Sequence, residues 1–262
     1  PDDASAEAVS ARCAAGDLLL IQQKKLTAAE LQFRRAISQE SSNLFANNRL
    51  AYLLGLESRD WESIPYRIEV IKQKDFSSPH LYALALGDRA LDNPETMFGY
   101  YQQWPDSSAS QLGMARINIE INKTSDAERL LREAIHKSPE LMAAQYRLGQ
   151  VLQQSGSVKE FIEWNAQLPP QAEEYPGIWY IRGIWERQQK YLPSATRCLW
   201  EAVRRNPDHG PSNYQLGQVL ISMDEQDKAQ LFIKRAYEIE QFVKSVELAS
   251  NSLEMPEIQK TA

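Results

Sequence analysis

An all-α array of stacked helix pairs is the fold this sequence predicts, and three observations carry that expectation. Residues 146–152 read Tyr-Arg-Leu-Gly-Gln-Val-Leu, and residues 214–220 nearly copy them 68 positions later, twice a step of 34. Small residues return at the same step: Ala127, Ala195 and Ala229 form one set, and Ala134, Ala202 and Ala236 another. Apolar residues sit at helical spacing within each unit, as in Leu130, Leu131, Ala134 and Ile135. A fixed period of this length is the mark of a repeat architecture, in which each unit buries its apolar face against its neighbours.

The register places unit starts at Ser10, Leu44, near Ser78, and at Ser108, Met142, Pro176 and Gly210, seven in all. The array spans residues 10–243, with 1–9 as an N-terminal tail, 244–256 as a capping helix extension and 257–262 as a tail. Units 44–77 and 78–107 are degenerate.

In the first unit, Ala29, Phe33 and Ala36 mark a second helix, and Thr27-x-x-Glu30 reads as a capping box at its start. Pro65 falls inside the second helix of unit two and predicts a kink. In unit three the first helix stops near Gly87-Asp88, and Asn93-Pro94 reads as an N-cap with proline in the first turn. Ser125-x-x-Glu128 repeats the capping-box signature in unit four, whose second helix ends before Pro139. Phe161 stands where the other units carry alanine, so that helix pair must splay or shift, and Pro169-Pro170 ends its second helix early. Gly149, Gly183 and Gly217 recur at one phase of the first helices. Glycine there costs about 1 kcal/mol of helix propensity, so its return implies close packing between helices. A helix from Gln226 to about Ser250 closes the chain, with Ile239, Phe242, Val243 and Val246 as an apolar stripe. That stripe covers the open end of the array or forms a dimerisation seam.

These residues resemble the tetratricopeptide repeat family, whose pattern runs Trp-x2-Leu-Gly-x2-Tyr, then alanine, an aromatic, alanine and proline. Gly149, Gly183 and Gly217, the two alanine sets, Trp179, Pro139 and Pro207 carry the likeness, which covers about residues 10–243. The resemblance implies a right-handed superhelical solenoid of about seven helix pairs. It also implies a concave groove, lined by first helices, that holds an extended or helical peptide. On that register one groove phase carries Asn48, Tyr82, Tyr146, Tyr180 and Tyr214. The adjacent phase carries Tyr52, Arg116, Gln150 and Gln218, and a third Arg89, Gln153 and Arg187. Tyrosine combines a large apolar face with a hydroxyl, and glutamine can pair with peptide N–H and C=O groups alike. The recurrent tyrosine either contacts a ligand or packs against the next unit. The family's carboxylate clamp is not matched: its first Lys–Asn pair would fall on Ala14 and Leu18, or on Asn48 and Tyr52. A cochaperone role is therefore not expected. Trp179, at the family's tryptophan position, is expected in the core; Trp61 and Trp200 fall on outward phases.

The bulk chemistry agrees with a binding scaffold. The chain has 262 residues, 43% hydrophobic and 24% charged, with a net charge of −6. That balance argues against a nucleic-acid partner, which needs a basic surface to displace counterions. No apolar run approaches the roughly 20 residues of a membrane span, and no signal peptide is visible. A chain opening at Pro1 reads as a trimmed or mature fragment, soluble, with its compartment undefined. Cys13 and Cys198 form no CxxC pair and suit core positions. His80, His136 and His209 fall at different phases and read as solvated loop histidines. No nucleophile elbow, P-loop, dinucleotide fingerprint or zincin motif occurs. No enzyme activity, metal or cofactor is therefore expected. The expected partner is a peptide or protein segment in the concave groove. The alternative is an assembly subunit that grips a folded partner by its convex face or last helix.

Overall fold

The computed structural model describes residues 5–23, 25–57, 59–73, 99, 101–102 and 106–258, with the side chains of 249–258 left aside. The proposed third unit lies outside the described residues, except for its last few. With it go Tyr82, Arg89, His80, Gly87-Asp88 and Asn93-Pro94. The chain is an all-α helical-repeat solenoid that divides into two compact bodies, Pro1–Asp92 and Asn93–Ala262. Among the described residues there are twelve α-helices and no strands.

The N-terminal body holds α1 (Ala6–Asp17), α2 (Leu26–Gln39), α3 (Leu44–Leu56) and α4 (Asp60–Lys72). Ser5 caps α1, its side chain accepting from the Ala8 N–H at 3.2 Å. Residues 6–9, expected in a tail, are therefore helical. A π-helical turn, Leu18–Gln22, follows α1. Gly16 approaches Phe33 so closely that a Cβ there would lie 2.5 Å from its ring. One more residue separates this pair than separates Gly183 from Leu199 or Gly217 from Ile233, and the π turn lies within that stretch. An inserted residue absorbed in a helix is what a π-bulge is. Helix α4 runs unbroken through Pro65. In the degenerate second repeat, Arg67 occupies the phase that Phe33 fills in the first, buried and donating to Ser63 Oγ (2.9 Å) and the Ala51 carbonyl (3.2 Å).

The C-terminal body holds α5 (Ser108–Glu120), α6 (Thr124–Lys137), α7 (Met142–Ser155), α8 (Val158–Gln167), α9 (Pro176–Gln188), α10 (Leu192–Arg205), α11 (Gly210–Ile221) and α12 (Gln226–Ile258). A short 3-10 turn, Pro170–Glu174, joins α8 to α9. First helices begin at Leu44, Ser108, Met142, Pro176 and Gly210. Within the pairs the small residues sit at the crossings: Ala127, Ala134, Ala195, Ala202 and Ala229 are almost fully buried. A Cβ on Gly183 would lie 2.5 Å from Leu199, one on Gly217 2.6 Å from Ile233, and one on Gly149 against the Trp164 indole.

Two devices recur that the sequence reading missed. The turn inside each C-terminal pair has a left-handed residue at one phase: Asn122 (φ 59°), Gly156 (72°), Lys190 (64°) and Asp224 (62°). At three of the four turns the N–H one residue on reaches back to the carbonyl five residues earlier, as Lys123 does to Asn118 at 2.8 Å, closing a Schellman-type cap. At the junction between repeats, one side-chain N–H donates to the carbonyl six residues earlier. Asn47 donates to Ser41 (2.9 Å), Gln145 to Pro139 (3.1 Å), Trp179 to Glu173 (2.8 Å) and Asn213 to Pro207 (2.9 Å).

Several expectations are corrected. The capping boxes do not form, because Thr27 and Ser125 fall one residue inside helices that begin at Leu26 and Thr124. The carboxylates instead pair with arginines, Glu30 with Arg34 and Glu128 with Arg132. Trp179 is half-buried rather than core. Its indole lies under the guanidiniums of Arg182 and Arg205, 4.8 and 5.2 Å from the ring centre. Cys198 is only half-buried. His209 is not a solvated loop residue: its Nδ1 accepts from the Ser212 N–H at 3.3 Å, capping α11. Phe161 is accommodated by an aromatic cluster, stacked on Trp185 at 4.1 Å and 5.1 Å from Trp164. In α12, Val243 is buried and Ile239 and Val246 half-buried, but Phe242 points outward at 60% exposure.

Candidate functional site

In the C-terminal body, first helices α7, α9 and α11 pack side by side. They carry the predicted tyrosine phase, and the structure shows what that phase does. Tyr146 is buried, its ring against Gly177 at the start of the next first helix and 6.1 Å from Tyr175. Tyr180 packs edge-on against His209, again at the next junction, at 5.2 Å. Burial raises its hydroxyl pKa above the ordinary value. Tyr214 follows the same phase and is 48% exposed. Tyr146 is thus corrected from groove surface to inter-repeat packing. Arg116 is corrected likewise, since α5 is buried on every face from Ala109 to Asn118.

The remaining predicted residues keep some exposure. Gln150, Gln153, Arg187 and Gln218 are half-buried. Arg147 donates to the Gln150 amide oxygen at 2.9 Å, and Arg187 to Gln215. In the N-terminal body, Asn48 is half-buried and Tyr52 exposed.

The N-terminal body also holds a groove that sequence reasoning missed. It has a volume of about 600 Å³ and lies between α1, the π turn and the start of α3. Val9, Cys13 and Ala14 line it, with Leu18, Ile21 and Phe45 at 44, 57 and 43% exposure. Two of its polar side chains, Asp17 and Asn43, already have partners. Asp17 pairs with Arg49 at 2.8 Å. The Asn43 amide donates to Glu40 (2.9 Å) and its oxygen accepts from the Ala46 N–H (2.9 Å). Arg49 itself lies over the Phe45 ring, 5.2 Å from its centre. Burial, helped by Glu40, raises the Cys13 thiol pKa, so the thiol stays protonated and chemically quiet. The available sequence signal was Ala14, Leu18 and Ile21, which fall at the same phase as Tyr146, Gln150 and Gln153.

Beside the groove-bearing helices, Arg59 sits among three carboxylates: Glu57 (2.7 Å), Glu30 (2.8 Å) and Glu62 (2.6 Å). Arg34 bridges Glu30 and Glu62 and donates to the Tyr66 hydroxyl at 2.8 Å. Burial pushes the Glu57 carboxyl up to about 7, against the pull of Arg59. Burial also opposes ionisation of Glu30, but the Arg59 and Arg34 guanidiniums hold it below the usual range.

A sequence model of the tetratricopeptide repeat matches residues 112–177, and a second type of the same repeat matches 210–242. No curated protein matches the chain. Among solved structures, "MamA 41-end from Desulfovibrio magneticus RS-1" is 18% identical with a TM-score of 0.45, covering 63% of this chain and 96% of its own. A double mutant, "MamA RS-1 ArsTM", is 16% identical with a TM-score of 0.46, covering 63% and 93%. YrrB, described as a TPR protein with an unusual peptide-binding site, is 13% identical with a TM-score of 0.41, covering 82% and 97%. No helix among the described residues is long and apolar enough to cross a membrane. With the family's sequence models matched over residues 112–177 and 210–242 and helix pairs stacked at the small residues, the chain carries tetratricopeptide repeats in an all-α scaffold for protein–protein interaction.

Proposed function

We propose that the chain holds a protein segment against its first helices and performs no chemistry on it. The groove between α1 and α3 seats the segment's apolar side chains. One observation carries this reading: Leu18, Ile21 and Phe45 stand exposed around a groove whose Asp17 and Asn43 side chains are already engaged. Such a surface gains free energy mainly by removing apolar area from water, about 25 cal/mol per Å². On the C-terminal body, Gln150, Gln153, Arg187, Tyr214 and Gln218 form the polar strip for a segment's backbone. Tyr146 and Tyr180 hold the repeats beneath it. We read the array as the seven repeats laid out above.

The test is capture of short peptides from a random-sequence library by the purified chain. Bound peptides should share an apolar anchor. The combined Leu18→Asp and Ile21→Asp variant should lose capture while keeping its helical circular dichroism, since both residues are exposed. Capture unchanged by that variant would overturn the groove assignment. A second reading, grip on a folded partner by the convex side, is favoured by Trp200, half-exposed and edge-on to Phe232 at 5.9 Å. It predicts no peptide capture and loss of a folded partner on Trp200→Ala.

A further inference from the structure

We propose that two copies of this chain associate through an antiparallel pairing of α12 about a two-fold axis. The proposal is independent of the groove reading. Leu231 is 69% and Phe242 60% exposed, and they stand eleven residues apart on one helix. At 3.6 residues per turn, eleven residues is close to three full turns, so the two side chains share a face. Arg235 and Glu238 lie on the same face between them, each about half exposed. The order along the stripe is therefore apolar, cationic, anionic, apolar.

That order is self-complementary. A two-fold interface is isologous, so each contact occurs twice. When Leu231 meets Phe242 of the second copy, Arg235 falls opposite Glu238 of that copy, and the same pairs form in reverse. Two apolar contacts then flank two ion pairs. Within one chain the charges are only loosely engaged with each other, Arg235 Nη1 to Glu238 Oε2 being 3.7 Å, although Arg235 also pairs with Asp208. A second exposed pair with the same spacing, Tyr237 and Leu248, encloses Gln241 and Lys244. Antiparallel pairing there sets glutamine opposite lysine, with no ion pair to fix register. The charge order selects the first stripe and a second copy of this chain as its occupant. A single helix pair buries less than a standard interface, so the association is weak and concentration-dependent.

Sedimentation equilibrium over a range of concentrations tests this with a charge exchange. The natural chain should show a reversible monomer–dimer equilibrium. Arg235→Glu alone places carboxylates opposite each other, and Glu238→Arg alone does the same with guanidiniums. Each should weaken dimerisation by about tenfold or more, because two ion pairs become two repulsions. The combined Arg235→Glu, Glu238→Arg variant should return to within about threefold of the natural chain. Both the single Arg235→Glu variant and the combined one lose the Asp208 pairing, so that loss does not account for a difference between them. A natural chain that stays monomeric at every concentration overturns the proposal. So does a dimer indifferent to the single changes, or a combined variant no better than either.

Discussion

Asn47, Gln145, Trp179 and Asn213 are chemically unlike, yet each donates one N–H to the carbonyl six residues earlier. The position selects for a donor of the right reach rather than for a residue type. This accounts for a half-exposed tryptophan where a core residue was expected. Asn213 is almost fully buried and also donates to the His209 carbonyl at 3.0 Å. Asn213→Leu should cost about 1–2 kcal/mol in urea unfolding, the worth of buried hydrogen bonds left unmade. Asn213→Gln should lose less, since Gln145 reaches the equivalent acceptor. The Arg59 cluster yields a second expectation. Glu57 holds its proton more tightly in the folded chain, with a pKa of about 7, than an exposed glutamate near 4.5. Between those values the folded state binds more protons, so the N-terminal body loses stability as pH rises from about 4.5 to about 7. Glu30, held low, acts oppositely: its contribution is present above the ordinary glutamate value and fades as pH falls below it. Amide exchange in α3 and α4 should therefore be slower at pH 5 than at pH 8 after correction for intrinsic rates. Glu57→Gln should flatten that difference, and an unchanged profile would show that Glu57 is not its source.

At the scale of elements, the turn inside each pair is the telling case. Asn122, Gly156, Lys190 and Asp224 all adopt left-handed backbone at one phase, but only Gly156 announces it in the sequence. An L-residue there costs about 1–2 kcal/mol, and the packed helices on either side impose it. Lys190→Gly removes that strain against a smaller entropic loss. It should raise the urea midpoint, by up to about 1 kcal/mol in stability, with no change in helix content. No gain would mean the turn is not strained. The π turn after α1 was equally unreadable, because one extra residue between Gly16 and Phe33 leaves helical periodicity nearly intact. Phe161 was readable as an anomaly, but its resolution was not. Rather than simply opening the pair, the structure fills it with Trp164 and Trp185, which stand near Phe161 in space but not at any repeated spacing.

For the molecule as a whole, the helix-pair architecture was legible because its cause is steric and local. Two rods can cross closely only where side chains are small, so Gly149, Gly183, Gly217 and the buried alanines had to recur with the repeat. The candidate binding surface was legible only in part. Tyr146, Tyr180 and Tyr214 are the same residue at the same phase, yet the first is buried by its following repeat and the last half exposed. The apolar groove beside α1 went unseen because alanine, leucine and isoleucine at a first-helix phase look the same whether covered or open. The period, the pairing of helices and the sites of closest approach all follow from residue size at a fixed spacing, and so could be read directly from the order of residues. Which faces remain open, and which arginine meets which carboxylate, emerges only once the helices are packed, because exposure belongs to the neighbours that a residue meets rather than to the residue.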